Sequence, residues 1–130
     1  MNDTNRQQAD LELARARKAL LAASVLYEHK LYEDCVSRAY YAVLHAARAA
    51  LATCSVFPKS HTGTKRLFGL HLVKEGLLEK HYAVILTAEQ EDREMGDYGI
   101  GIEFSADRAQ ARLEEAQDFV HHIERFVGEA

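Results

Sequence analysis

The chain has 130 residues, 48% of them hydrophobic, with one proline and seven glycines. That is enough to bury one core but too little for two, and the composition is neither disordered nor collagen-like. A formal charge of −4 excludes a globally basic nucleic-acid coat, so any RNA contact must be a local patch such as Arg38, Arg48, Lys59, Lys65 and Arg66.

Apolar periodicity predicts a first helix from about Arg6 to His29, with Leu13, Leu20, Ala23 and Tyr27 inward and Arg15, Arg17 and Lys18 outward. A short link around Lys30 and Leu31 implies an antiparallel neighbour. The second helix, about Tyr32 to Thr53, carries Val36, Tyr40, Val43, Ala47, Ala50 and Cys54 at steps of four and three, an apolar seam. Arg38, Tyr41, His45, Arg48 and Ala52 fall on a different, polar face.

The segment SVFPKSHTGT, Ser55 to Thr64, breaks the periodicity with Pro58 and Gly63 and offers Ser60, Thr62 and Thr64 as helix caps. A short helix from about Lys65 to Lys74 follows, with Leu67, Leu70 and Phe68 inward and Gly76 as its stop. Leu77 to Met95 reads as a fourth helix, and GDYGIGIEF, Gly96 to Phe104, as a loop. A last helix, about Ala106 to Val127, is capped by Ser105 and carries Ala109, Leu113, Ala116, Val120, Ile123 and Val127 on one stripe. The run YAVIL, Tyr82 to Leu86, could extend but has no second strand to pair with. The expected architecture is a single all-α domain over residues 1–130, an up-and-down bundle of four main helices and one short one.

No run approaches about eighteen consecutive apolar residues, and the N-terminus MNDTNRQQADLELARARK lacks the apolar centre of a signal peptide. The expectation is a cytoplasmic protein with no membrane partner. Cys35 and Cys54 sit near opposite ends of one predicted helix, about 28 Å apart at 1.5 Å per residue, too far for a disulfide between them. Free buried thiols are the simplest account. His61, His71 and His81 recur every ten residues, but on one helix each step would rotate about 80° off register, so they do not converge on a metal. No metal site and no cofactor is expected.

Arg38 and His45 are seven residues apart on the second helix, nearly the same azimuth and roughly 10 Å apart along it. A guanidinium clamps phosphate with a bidentate fork, and an imidazole titrating near neutrality can take the proton of a ribose hydroxyl. The pair is a minimal phosphodiester site. Lys59 and His61 precede a helix start, where free backbone N–H groups favour phosphate, while an ordinary capping loop is the simpler account of them.

The strings SRAYYAVLHAARAAL, KSHTG and REMGDYG, followed by an amphipathic last helix, resemble the HEPN superfamily in its small stand-alone prokaryotic branch, known as UPF0332. The matching positions are Tyr40, Tyr41, Ala42, His45, Ala46, Ala47, Lys59, Ser60, His61, Gly63, Arg93, Asp97 and Tyr98, and the likeness runs from about Ala9 to Phe126. The resemblance implies a bundle of about five helices, a homodimer, and a toxin paired with a small nucleotidyltransferase antitoxin of the MNT type. Many members of the wider superfamily are metal-independent ribonucleases, whose Arg-x4-6-His motif lies late in the chain and meets its copy at the dimer cleft.

Here the late position reads Arg93, Glu94, Met95, Gly96, Asp97, Tyr98, with an aspartate and no histidine. An ionised aspartate repels a scissile phosphate. The literal arginine–histidine spacing occurs instead at Arg38 and His45, on an earlier helix. A composite site follows, in which Arg38 or Arg93 holds phosphate and His45 moves the proton, with Asp97 beside them. Equally open is a degenerate module that binds nucleotide or docks the transferase without cleaving RNA, with Arg93 paired to Asp97 and His45 bonded to a neighbouring carbonyl. In relatives paired with such transferases a tyrosine near the motif is modified with adenylate, a role the resemblance carries to Tyr98.

Overall fold

A computed structural model describes residues 1–99, 101 and 103–130. Ile100 and Ile102, part of the expected Gly96–Phe104 loop, lie outside the described residues. Among the described residues five α-helices, α1 (Asp3–Glu28), α2 (Tyr32–Ala52), α3 (His61–Phe68), α4 (Lys80–Tyr98) and α5 (Ala106–Gly128), form an all-α bundle, with a π-helical turn at Gly69–Val73. No strand occurs among the described residues, and the YAVIL run is helical within α4. No helix among them is long and apolar enough to cross a membrane.

The axis of the bundle is α2, which touches every other helix and the π turn. Thirteen of its 21 residues are buried, seven of them alanines, so side-chain bulk does not hold neighbours away. The expected seam from Val36 to Ala50 is buried as foreseen. Cys54 is not: α2 ends at Ala52, and this thiol is exposed while Cys35 is buried. Burial pushes the Cys35 thiol up to about 11, with the Glu89 carboxyl adding to the effect.

Helix α1 begins three residues earlier than periodicity suggests, because the Asn2 side chain accepts from the Asn5 backbone N–H at 2.7 Å. The Asn5 amide then donates to Ser55 Oγ at 2.7 Å, tying the start of α1 to the end of α2. Between α1 and α2 the chain reverses through Lys30 at φ +62°.

Helix α3 also starts early, at His61 and not Lys65, since Ser60 Oγ accepts from Gly63 N–H at 2.8 Å. The π turn that continues it holds more residues per turn than an α-helix and shifts the phase of the inward face. Phe68 and Leu72 are therefore buried, whereas Leu70, expected inward, is 41% exposed. Gly76, at φ +77°, stops the segment as expected.

The largest departure is at the other end of α4, which runs on through Gly96, Asp97 and Tyr98. A Cβ at Gly96 would sit 2.7 Å from Phe104 Cε2, so the glycine marks a close approach of the returning chain and not a loop. Phe104 is buried beneath the Arg108 guanidinium, 5.0 Å from its ring centre, and its backbone N–H donates to Glu33 at 3.0 Å. In α5 the expected stripe from Ala109 to Val127 is buried, joined by Phe119, which packs against Phe68 at 5.9 Å and Tyr82 at 5.7 Å.

Helices α4 and α5 are clamped by Asp92, which accepts from Arg108 Nε at 3.1 Å and Arg112 Nε at 2.7 Å. Burial raises the Asp92 carboxyl, but the bonds from the two arginines outweigh it and hold the group below its ordinary value. One turn earlier Glu89 is fully buried with no hydrogen-bond partner among the described residues. Burial, reinforced by Glu115, pushes it up to about 10, so it stays protonated at neutral pH.

Two measurements check this core. Phe119→Ala should cost about 3–5 kcal/mol in urea unfolding, whereas Leu70→Ala should change stability by less than about 0.5 kcal/mol; equal costs would mean that Leu70 faces the core after all. Glu89 binds its proton more tightly folded than unfolded, so its contribution to stability is complete below about pH 4.5 and declines as pH rises toward 10. Glu89→Gln should therefore flatten the pH dependence and stabilise the protein above pH 7 by more than about 1 kcal/mol, and an unchanged pH profile would contradict a buried neutral acid.

Candidate functional site

Because alanines surround α2 on its buried sides, its few polar side chains emerge along the seam with α1 and at the mouth of α3. There a groove of about 570 Å³ opens, lined by Arg15, Lys18, Ala19 and Ala22 from α1 and by Arg38, Tyr41 and His45 from α2. The Arg38–His45 spacing thus places both residues on one solvent-facing wall. Arg38 is exposed and has no hydrogen-bond or ion-pair partner among the described residues. The His45 side chain is 21% exposed.

His45 Nδ1 lies 2.7 Å from Glu12 Oε2, and Glu12 Oε1 takes Arg15 Nη1 at 3.0 Å. Burial raises the Glu12 carboxyl, but the bond to His45 and the charges of His45, Arg15 and Arg48 bring it below its ordinary value. An ionised carboxylate only accepts, so Nδ1 carries the hydrogen and Nε2 is left as the base. The carboxylate also fixes the ring and stabilises the imidazolium that would form on proton uptake. The partner of His45 is therefore a carboxylate from another helix and not the neighbouring carbonyl considered from sequence.

Arg93 reaches the same region from α4. Its Nη2 donates to the Tyr41 hydroxyl at 3.0 Å, and its guanidinium stands 5.5 Å from the Tyr41 ring centre and 5.7 Å from that of Tyr40. Arg93 Nε is 2.8 Å from Asp97 Oδ2, an ion pair and not an aligned hydrogen bond. The i,i+4 pairing of Arg93 and Asp97 is thus present, and it keeps this guanidinium occupied. Tyr40 is fully buried, its hydroxyl has no partner among the described residues, and burial pushes it up to about 12.

His61 joins this cluster, its ring 5.6 Å from that of Tyr40 and 5.9 Å from that of Tyr41. Burial first, then the charges of Arg93 and Arg48, hold it below the ordinary histidine value, so it is neutral at pH 7. It can offer a hydrogen bond to phosphate but not a charge. Lys59 lies outside the groove, on a second cavity beyond Arg15 and Glu12, where its carbonyl accepts from Arg48 Nη2 at 3.2 Å. Tyr98, in the last turn of α4, is 76% exposed.

The structure gathers Arg38, His45, Arg93 and His61 around one ring, Tyr41, with Asp97 held to Arg93, and leaves Lys59 and Tyr98 apart from it. Sequence reasoning missed Glu12, which pairs with His45 across 33 positions of chain. Nothing local marks that partnership. Tyr41 could have been assigned a role, since it lies between Arg38 and His45 on the polar face of α2. Among the described residues no group of three or more His, Cys, Asp or Glu side chains gathers as a metal ligand set.

Comparison with known proteins adds an independent line. The family model described as the HEPN domain matches residues 9–128. A candidate toxin of Methanocaldococcus jannaschii is 36% identical over 129 residues, 99% of this chain and 96% of its own length. A UPF0332 protein of Archaeoglobus fulgidus is 35% identical over 92% of this chain and 95% of itself. One from Gloeobacter violaceus is 41% identical over 72% of this chain and 73% of itself.

Proposed function

Because the chain belongs to the HEPN domain family, we propose that it is a toxin-like member that cleaves RNA in the α1–α2 groove without a metal. The observation that carries this reading is His45, oriented by Glu12 and sharing a solvent-facing wall with the unpaired Arg38. In the reaction His45 Nε2 takes the proton of a ribose 2′-hydroxyl. The 2′-oxygen attacks phosphorus, the bond to the 5′-oxygen breaks, and that oxygen is protonated by solvent. The products are a 2′,3′-cyclic phosphate and a 5′-hydroxyl.

Arg38, with Lys18 beside it, holds the phosphate and stabilises charge on its oxygens. Arg93 acts through Tyr41, fixing its hydroxyl on the groove, while Asp97 and the neutral His61 hold Arg93 and Tyr41 in place. The whole chain acts as one HEPN unit. Homodimerisation is supported by exposed apolar residues on α1, where Leu11 and Val25 share the azimuth of the groove-lining Lys18 and Leu21 stands 67% exposed. The toxin assignment draws on the Methanocaldococcus relatives, and a reducing cytoplasm fits the two free cysteines.

A second reading is favoured by one specific observation, the Arg93–Asp97 ion pair. Where the family's late motif has an arginine and a histidine, this chain has an arginine paired to an aspartate. On this reading the protein is a degenerate module that binds nucleotide or docks an MNT-type nucleotidyltransferase.

Incubating the protein with transfer and messenger RNA in EDTA separates the two. Cleavage should persist in the wild type, fall by about 10² or more in His45→Ala, and fall by about tenfold in Arg38→Ala as the phosphate loses its clamp. An inert wild type selects the degenerate module, and equal cleavage in all three proteins removes this groove from the chemistry. The exposure of Tyr98 supports modification by a partner transferase. Incubation with the cognate transferase and ATP should add one adenylate to the Tyr98 peptide in mass spectra, with Tyr98→Phe left unmodified; an unmodified wild-type peptide would exclude that role.

A further inference from the structure

Beyond Glu12 and Arg15 lies a second cavity of about 330 Å³, lined by Gln8, Glu12, Arg15, Arg48, Phe57 and Lys59 together with Ala52 and Pro58. Cavities of this size sit at the lower end of the range that accepts small ligands. Its lining holds three cations and one carboxylate in a chain of net charge −4, and that carboxylate is already engaged by Arg15 and His45. The free charge facing a ligand is positive.

Arg48 is held rigidly, donating through Nε to Thr64 Oγ1 at 3.1 Å and through Nη2 to the Lys59 carbonyl at 3.2 Å. Its Nη1 has no partner among the described residues. Phe57 is 48% exposed, a large flat ring left uncovered at the rim. An aromatic face beside cations is the pairing that takes an unstacked base and its phosphate. Gln8 adds an amide with both a donor and an acceptor, suited to a base edge.

We propose that this cavity binds one nucleotide unit, its base stacked on Phe57 and its phosphate held by Arg48, Lys59 and Arg15. Arg15 lines both this cavity and the groove, and Glu12 bridges it to His45. A nucleotide here therefore lies next to any strand occupying the groove. The inference rests on the ribonuclease reading only for the strand such a nucleotide would belong to, since the cavity takes a free mononucleotide by the same chemistry.

The chain contains no tryptophan, so Phe57→Trp both keeps the stacking face and installs a single fluorescent reporter. Titrating that variant in EDTA with AMP, with an uncleavable 2′-O-methyl hexanucleotide and with ribose 5-phosphate, alongside calorimetric titration of the wild type, Phe57→Ala and Lys59→Ala, tests the site. AMP or the hexanucleotide should quench the tryptophan, and both alanine variants should bind about tenfold more weakly while keeping the wild-type helical circular dichroism. Quenching by AMP identifies a free nucleotide site, and quenching by the hexanucleotide alone identifies a position along a strand. Absence of quenching by both, affinity in Phe57→Ala equal to wild type, or ribose 5-phosphate binding as tightly as AMP would overturn the assignment. The readout is equilibrium binding, so a protein that fails to cleave RNA can still pass this test, and one that cleaves can still fail it.

Discussion

The bundle depends on one constraint: α2 must be narrow enough to be wrapped by all the other helices. Alanine at 39, 42, 46, 47, 49 and 50 meets it, because small side chains let neighbouring backbones approach and bury α2 on most of its circumference. Polar residues on such a helix can survive only where the wrapping is incomplete. Arg38, Tyr41, His45 and Arg48 lie along that gap, so the packing of the core determines where the chemistry of the surface can be.

Electrostatics then divides these residues into those that are engaged and those that are available. Glu12 takes His45 and Arg15, Asp97 takes Arg93, and Asp92 takes Arg108 and Arg112. Partly buried charges in this protein come with partners, as desolvation requires. Glu89, which has none, is kept neutral by burial. Arg38 and Lys18 stand outside the scheme on the groove wall, and an incoming phosphate would find its counter-charge there.

Where a helix repeats a stripe over several turns, as from Val36 to Ala50 or from Ala109 to Val127, the sequence carries its own burial pattern and was readable. The ends were less legible. Capping by Asn2 and Ser60 lengthened two helices beyond their apolar signal, and the π turn at Gly69–Val73 slipped the register that should have buried Leu70. The site was half legible for the same reason. Arg38 and His45 share one helix, and periodicity brings them together, whereas Glu12 meets His45 only through packing of α1 on α2. The Gly96–Tyr98 turn was misread because glycine is a loop signal on its own, and the ring that makes it a packing position lies eight residues further along.

That ring gives the chain's glycines unequal standing. At Gly69 an added methyl group would meet open space, whereas at Gly96 it would meet Phe104. The first position can drift to almost any small residue at no steric cost. The second is a keyhole: one missing carbon lets Phe104 lie directly against α4, and mutational freedom there is set by an aromatic ring and not by helix propensity.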